Sequence, residues 1–168
     1  MSLIAIIGLA AIFYFATMSM LVFHIQLPLT ANSNISDRTP TVNIVLYEGE
    51  NSANQYGFGY SPNTLTSPGP TLRFTTSDVV NITVINVGKT PHAFAVTSAP
   101  RTGATVLFNA EIGSSSKPLQ PEQEGSVVFN PNLTGSTFSY ICPISGHAEA
   151  GMYGSIIIST ISGTGMGM

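Results

Sequence analysis

The chain of 168 residues is long enough for one ordinary domain with a hydrophobic core, and 43% of its residues are hydrophobic while 8% are charged. A formal net charge of -3, with five Lys and Arg, excludes a basic patch for nucleic acid, and the single cysteine excludes an intrachain disulfide. The 16 Gly and 11 Pro favour short strands and turns over amphipathic helices. Composition therefore predicts one domain that is mostly β.

The N-terminal segment, residues 1–29, is predicted to be a membrane anchor. Residues 2–29 contain no Asp, Glu, Lys or Arg, and residues 3–25 are almost entirely apolar. At roughly 1.5 Å per residue, a helix over residues 3–25 reaches about 35 Å, which is enough to cross a bilayer. The alternative is a cleaved signal peptide, but a basic n-region is missing and the small-residue exit near Ala31 fits the cleavage pattern poorly. We therefore expect one transmembrane helix, retained as an uncleaved signal anchor.

A polar segment, residues 30–40, is predicted to link this anchor to a globular domain over residues 41–161. Alternating apolar residues or short β-branched runs predict strands in that domain. The predicted strands are residues 41–47, 71–74, 79–87, 91–96, 105–109, 126–129, 136–142 and 154–161. Residues 48–63 and 113–125 lack such a period and are predicted to be loops, and the Gly- and Met-rich residues 162–168 are predicted to be a flexible tail.

Candidate metal ligands cluster near the C-terminus with the spacing Cys142-x4-His147-x4-Met152. A thiolate, an imidazole and a thioether together suit copper, which an electron carrier must hold both as Cu(I) and as Cu(II). His92, at the start of the strand predicted for residues 91–96, offers a second imidazole. Each residue alone has a simpler explanation, such as a small buried cysteine, so the prediction depends on their combination.

This combination resembles the cupredoxin family. Within the family, residues 140–154 are similar to the rusticyanin and sulfocyanin group, because plastocyanins have a shorter step between Cys and His. Further landmarks of the resemblance are residues 69–73, 79–87, 91–92 and 121–129. The resemblance implies an all-β, Greek-key β-sandwich that binds one type I copper. It also implies His92, Cys142 and His147 as equatorial ligands and Met152 as the weak axial ligand.

Three residues near the predicted ligands bear on how the site is held together. Family members often follow the first ligand histidine with a polar residue that ties the two ligand loops together, whereas this chain has Ala93. That bond is therefore expected to be absent or replaced. Pro143 has no N–H, but the N–H of Ile144 could donate to the thiolate, and such hydrogen bonds tune the reduction potential.

The number of histidines argues against catalysis. Copper enzymes that reduce oxygen or nitrite need a further copper site with more histidines than the three present, and a dinuclear centre of the oxidase kind needs two cysteines. We therefore expect no catalytic residues and no enzyme activity. The predicted function is a membrane-anchored blue-copper electron carrier of a respiratory chain, with its copper domain on the extracytoplasmic face.

The predicted partners of this carrier are redox proteins such as a cytochrome or a terminal oxidase. They are expected to dock on a flat patch of small apolar residues around His147, formed by Pro143, Ile144, Ala148 and Ala150. The alternative function is a cupredoxin subunit bound stably in a larger membrane oxidase or oxygenase, with a role in assembly or copper delivery. The N-terminal helix fits either function.

Overall fold

The structure, a computed structural model, describes residues 39–160, apart from the side chains of residues 135–137. The predicted anchor, nearly all of the predicted linker and the predicted tail (162–168) lie outside these described residues. Within residues 39–160 the chain forms nine β-strands, and that range contains no helix long and apolar enough to span a membrane.

The strands form two sheets, which confirms the predicted all-β sandwich. The strands are β1 (Val42–Glu50), β2 (Tyr56–Gly59), β3 (Leu72–Thr75), β4 (Val80–Asn86), β5 (Phe94–Thr97), β6 (Val106–Ile112), β7 (Glu124–Phe129), β8 (Gly135–Ile141) and β9 (Tyr153–Ser159). One sheet has the order β2-β1-β4-β7 and the other β3-β9-β8-β5-β6. The β1–β4 and β3–β9 pairs are parallel, and the remaining neighbours are antiparallel.

Alternating side chains of both sheets meet in one core. In β4, Val80, Ile82 and Val84 are fully buried while the residues between them are half-buried, as the period of two predicted. Aromatic side chains from both sheets fill the space between them, with Phe58 of β2 packed edge-on against Phe94 and Tyr140. Burial of each such large apolar side chain stabilises the fold by about 1.5–3 kcal/mol.

The predicted loop over residues 48–63 is wrong in part. Strand β1 continues to Glu50, and β2 pairs with it antiparallel, with Glu50 opposite Tyr56. Two of the four residues of β2 are glycines, which show no hydrophobic alternation in the sequence. They are needed because a Cβ on Gly57 or Gly59 would clash with the backbone of residues 64–66.

The arrangement of β5, β8 and β9 brings the predicted ligands to one end of the sandwich. Strands β5 and β8 are antiparallel, with Ala95 opposite Ile141, so the residues just before β5 lie beside those just after β8. The first group includes His92 and the second begins with Cys142. Strand β9 is the other antiparallel neighbour of β8, so the loop between them starts and ends at this same edge.

Candidate metal centre

Three of the four predicted ligands converge. Ligand atoms of His92, Cys142 and His147 all lie within 4.8 Å of one another. The Nδ1 atom of His147 is 3.4 Å from the Sγ of Cys142, and the two imidazole rings are 5.1 Å apart between centroids. His92 and Cys142 are fully buried, whereas His147 is half-buried. One ion can therefore contact all three side chains.

The loop that carries Cys142, His147 and Met152 is closed by its own backbone. The N–H of Cys142 donates to the carbonyl of Met152 over 3.0 Å, and the N–H of Met152 donates to the carbonyl of His147 over 2.9 Å. Gly146 and Gly151 have φ of 83° and 101°, which favour glycine and let the loop turn twice. The Met152 side chain is fully buried in the core cluster that contains Cys142. Its role as axial ligand stays a prediction.

His92 is held by a buried asparagine that the sequence interpretation missed. Asn86 donates through Nδ2 to the carbonyls of Thr90, over 2.9 Å, and Leu119, over 3.0 Å, while its Oδ1 accepts from the N–H of Gly88. His92 and Leu119 also exchange two backbone hydrogen bonds. The sequence did carry a signal for Asn86, because this polar residue continues the apolar face of β4.

The ring of His92 offers one nitrogen to the cluster and turns the other away. Its Nδ1 atom is buried and has no hydrogen-bond partner among residues 39–160. On its other side, Nε2 lies 3.2 Å from the Thr90 hydroxyl and 3.7 Å from Oε1 of Glu50. Burial, together with the nearby His147, lowers the pKa of His92 to about 4, although Glu50 opposes this shift. The imidazole is therefore neutral at neutral pH, which is the form that binds a metal.

The thiol of Cys142 lies in surroundings that oppose a free thiolate. Burial raises the pKa of the Cys142 thiol to about 12, while the N–H groups of Ile144 and Ala93 act to lower it. A coordinating metal ion deprotonates a thiol outright, so a metal here would offset this cost. The action of the Ile144 N–H on the sulfur agrees with the donor expected from the sequence.

A buried acid, Glu48, was not predicted. It follows Leu46 on the inner face of β1, is fully buried, and has two carboxyl oxygens without a hydrogen-bond partner in the described part of the chain. Burial raises the pKa of Glu48 to about 8. A protonated carboxyl at neutral pH avoids the large cost of a buried unpaired charge. Its charged form would raise the pKa of the Cys142 thiol.

Tyr56, within the range predicted as a loop, covers the half-buried histidine. Its ring stacks on His147 with centroids 4.1 Å apart and 20° between the planes. The same ring meets His92 edge-on, with centroids 5.3 Å apart. Burial lowers the pKa of His147, and the Tyr56 ring is part of that cover.

The apolar patch expected around His147 needs one correction. Ala148 is 1% exposed and packs with Ala95 and Ile141, so it contributes nothing to the surface. Ala148 turns inward because the loop coils, with the N–H of Ala150 donating to the carbonyl of Gly146. Gly146 and Ala150 are exposed, whereas Pro143 and Ile144 are half-buried.

The donor set fits copper. Two imidazole nitrogens and one thiolate, with a buried thioether on the same loop as the cysteine, are the donors that type I copper sites use. The Nδ1 of His92 has no hydrogen-bond partner in the described part of the chain, and the Nδ1 of His147 approaches the sulfur closely; both features suit a shared ion.

Comparison with known families and proteins agrees with this donor set. The family model described as "Multicopper oxidase" matches residues 63–162, more than half of the chain. Rusticyanin of Acidithiobacillus ferridurans is 32% identical over 93 residues, which make up 53% of this chain and 50% of that protein. The chain therefore spans about half the length of the curated relatives that it matches.

Solved structures share the fold. Rusticyanin from Thiobacillus ferrooxidans matches with a TM-score of 0.53 and 22% identity, over 72% of this chain and 79% of that chain. The L499M mutant of the laccase from B.aclada matches with a TM-score of 0.55 and 21% identity, over 75% of this chain and 24% of that chain. At such identities the likeness concerns the fold alone. From its family match and its ligand cluster, the chain belongs to the multicopper oxidase family, as a copper-binding cupredoxin similar to rusticyanin.

Proposed function

We propose that the chain is a mononuclear copper electron carrier and not an enzyme. The observation that carries this proposal is the enclosure of the site. His92, Cys142 and Met152 are fully buried, and His147 is half-buried under Tyr56. A substrate would need a coordination position that it can reach from solvent. Electron transfer has no such need, because it can take place through the edge of the His147 imidazole ring.

Copper, when bound, supplies a one-electron Cu(I)/Cu(II) couple. The residues of the chain hold the donors in place and keep water away. The backbone hydrogen bond between Cys142 and Met152 closes the ligand loop, and Asn86 fixes the segment that carries His92. A rigid donor set rearranges little when the charge on the site changes, and this favours fast electron exchange.

The proposed setting is the extracytoplasmic face of a membrane, with residues 1–29 as the anchor and a respiratory chain as the source and sink of electrons. Support comes from the uncharged run over residues 2–29 and from the similarity to rusticyanin. A cytochrome or terminal oxidase would dock at the surface beside His147, where Gly146 and Ala150 are exposed. Small contacts of this kind suit weak, brief redox encounters.

A second candidate is a cupredoxin subunit bound stably in a larger oxidase. The observation in its favour is that the same fold occurs inside much longer enzymes, since the chain covers 24% of the matching laccase. In that case the site formed by His92, Cys142 and His147 would face a fixed neighbouring subunit instead of a diffusing partner.

The test begins with the full chain, extracted from its native membrane in mild detergent and separated on a native gel. A free monomer supports the carrier, whereas comigration with haem-bearing subunits supports the bound subunit. The copper-loaded chain should also accept and return one electron per copper without consuming oxygen. Sustained oxygen consumption by the purified chain would contradict the proposal that it is not an enzyme.

A further inference from the structure

The β1–β2 hairpin, residues 50–56, contacts both segments that carry the predicted histidine ligands. At its start, Glu50 accepts hydrogen bonds from the N–H of Lys89 and from the Thr90 hydroxyl, each over 2.7 Å. At its end, Tyr56 stacks on His147. The hairpin supplies none of the three clustered ligands, yet it lies against the surroundings of two of them.

The contacts of Thr90 determine where the proton of His92 lies. A threonine hydroxyl has a single hydrogen, and here it donates to the carboxylate of Glu50, which can only accept when ionised. The Thr90 oxygen is therefore an acceptor towards Nε2 of His92, 3.2 Å away. An acceptor at that distance requires a hydrogen on Nε2. Since a neutral imidazole carries one such hydrogen, Nδ1 is left with its lone pair free.

We propose that Glu50, acting through Thr90, holds His92 in the tautomer that presents the Nδ1 lone pair to the metal before any metal binds. Both are positioning residues, because neither belongs to the ligand cluster. The inference rests on the proposed copper site, and it adds the hydrogen bonds that set the tautomer of one ligand, His92. Metal-binding histidines commonly donate their other N–H to a neighbouring acceptor in this way.

The ionised state of Glu50 is supported by its surroundings. Burial acts to raise its pKa, but the hydrogen bonds from Thr90 and Lys89 outweigh burial and lower the pKa of Glu50 overall. The hairpin that carries Glu50 is itself fixed, because Oδ1 of Asn51 accepts from the N–H groups of Ala53 and Gln55 over 2.9 and 3.0 Å. The carboxylate is thus a fixed acceptor and keeps the Thr90 hydrogen turned away from His92.

The opposite tautomer would have two unfavourable consequences. With the hydrogen on Nδ1, the lone pair of Nε2 would face the oxygen lone pairs of Thr90. The N–H would then point into the ligand cluster and block metal binding at that atom. The hairpin also connects the two ligand segments, as the apolar side chain of Ala93 cannot, since Glu50 bonds to the His92 segment and Tyr56 covers His147.

The proposal is tested by the tautomer of His92 in the copper-free full chain. Imidazole nitrogen resonances, measured at about pH 7 on protein with ¹⁵N-labelled histidine, distinguish a protonated from an unprotonated ring nitrogen. Wild type and Thr90→Ser, which keeps the hydroxyl, should both show His92 protonated on Nε2 alone. Thr90→Val, of similar size but without the hydroxyl, should show a mixture of tautomers and bind Cu(II) about 10–100-fold more weakly.

A second substitution tests the role of the carboxylate. Glu50→Gln should also give mixed tautomers, because an amide cannot accept from both Lys89 and Thr90 through two equivalent oxygens. The matched control is Glu149→Gln, which changes an exposed carboxylate of the ligand loop that accepts from Thr102, and should leave the tautomer of His92 unchanged.

Two results would overturn the inference. One is a wild-type His92 protonated on Nδ1, and the other is the wild-type tautomer retained in both Thr90→Val and Glu50→Gln. Because the resonances are recorded without copper, failure of the chain to bind copper would defeat the proposed function without deciding the tautomer. If Thr90→Val does not fold, Glu50→Gln alone decides the outcome.

Discussion

The Nδ1 atom of His147 lies 3.4 Å from the sulfur of Cys142, although the two residues are five positions apart in the chain. The short distance follows from the coiled loop between them, in which the N–H of His147 donates to the carbonyl of Ile144 over 3.1 Å. Loop geometry therefore brings a hard-to-ionise thiol and a neutral imidazole together, and a shared metal ion would stabilise the pair.

Removal of the aromatic cover should change the titration of His147. Burial lowers the pKa of His147, and the Tyr56 ring stacks on it at 4.1 Å. Tyr56→Leu should therefore move the pKa of His147 upward, towards its ordinary value, in the copper-free protein. Proton NMR titration of the imidazole checks this, with Tyr56→Phe as the control that keeps the stacked ring. A His147 that titrates identically in the Leu and Phe variants would contradict the account.

The buried acid Glu48 should make the copper-free protein less stable at higher pH. Its pKa is raised from 4.5 to about 8 in the folded protein, so between these values the folded state holds a proton that the unfolded state has released. The free energy of unfolding therefore falls as pH rises through this window, by up to about 1.4 kcal/mol per pH unit.

Glu48→Gln should remove this contribution. Chemical denaturation from about pH 5 to about pH 8 measures the difference between wild type and variant, in which the separate effect of His92 cancels. As pH rises, the free energy of unfolding of the wild type should fall relative to that of Glu48→Gln. Glu124→Gln, at an exposed position of β7, is the matched control. A wild-type slope in the Glu48→Gln variant would count against a neutral Glu48 in the fold.

The packing of Tyr140 against β9 should make substitution of Gly154 destabilising. A Cβ on Gly154 would clash with the Tyr140 ring, which is held in place by a 2.6 Å hydrogen bond from its hydroxyl to the carbonyl of Pro70. Gly154→Ala should therefore lower the free energy of unfolding by about 1–3 kcal/mol. The neighbouring exposed Ser155→Ala is the control in the same strand. Equal stability of the two variants in a denaturant titration would show that the core adapts at no cost.

The sequence predicted the ligands better than it predicted the residues that position and cover them. The Cys-x4-His-x4-Met spacing and the early His92 are local signals, and the structure brings His92, Cys142 and His147 together as expected. The strands with clear alternation, such as β4, were also predicted. Strand β2 was missed because Gly57 and Gly59 lack the side chains that would show a period.

The residues that prepare the site could not be predicted, because their roles depend on contacts distant in sequence. Glu50 and Thr90 are 40 positions apart, and nothing near either residue indicates the hydrogen bond between them. Tyr56 of β2 stacks on His147 in the loop between β8 and β9, and it lies in a segment without apolar period. Glu48 and Asn86 both left a faint signal, since each is a polar residue that continues an apolar strand face.

The ligand assignment can be tested by substitution of single side chains in the full chain. Cys142→Ser and His147→Ala each remove one member of the cluster and should abolish the intense thiolate-to-copper absorption. His24→Ala changes the one histidine outside the described residues and should leave the colour unchanged. Together they separate a specific site from general binding of copper to histidine.

The most direct measurement is a Cu(II) titration of the wild-type full chain, followed by its visible absorption. The account predicts an intense visible band that grows until one copper per chain is bound and then stops, and that disappears on one-electron reduction. A chain that binds copper without such a band, or that keeps the band in Cys142→Ser, would contradict the copper site proposed at His92, Cys142 and His147.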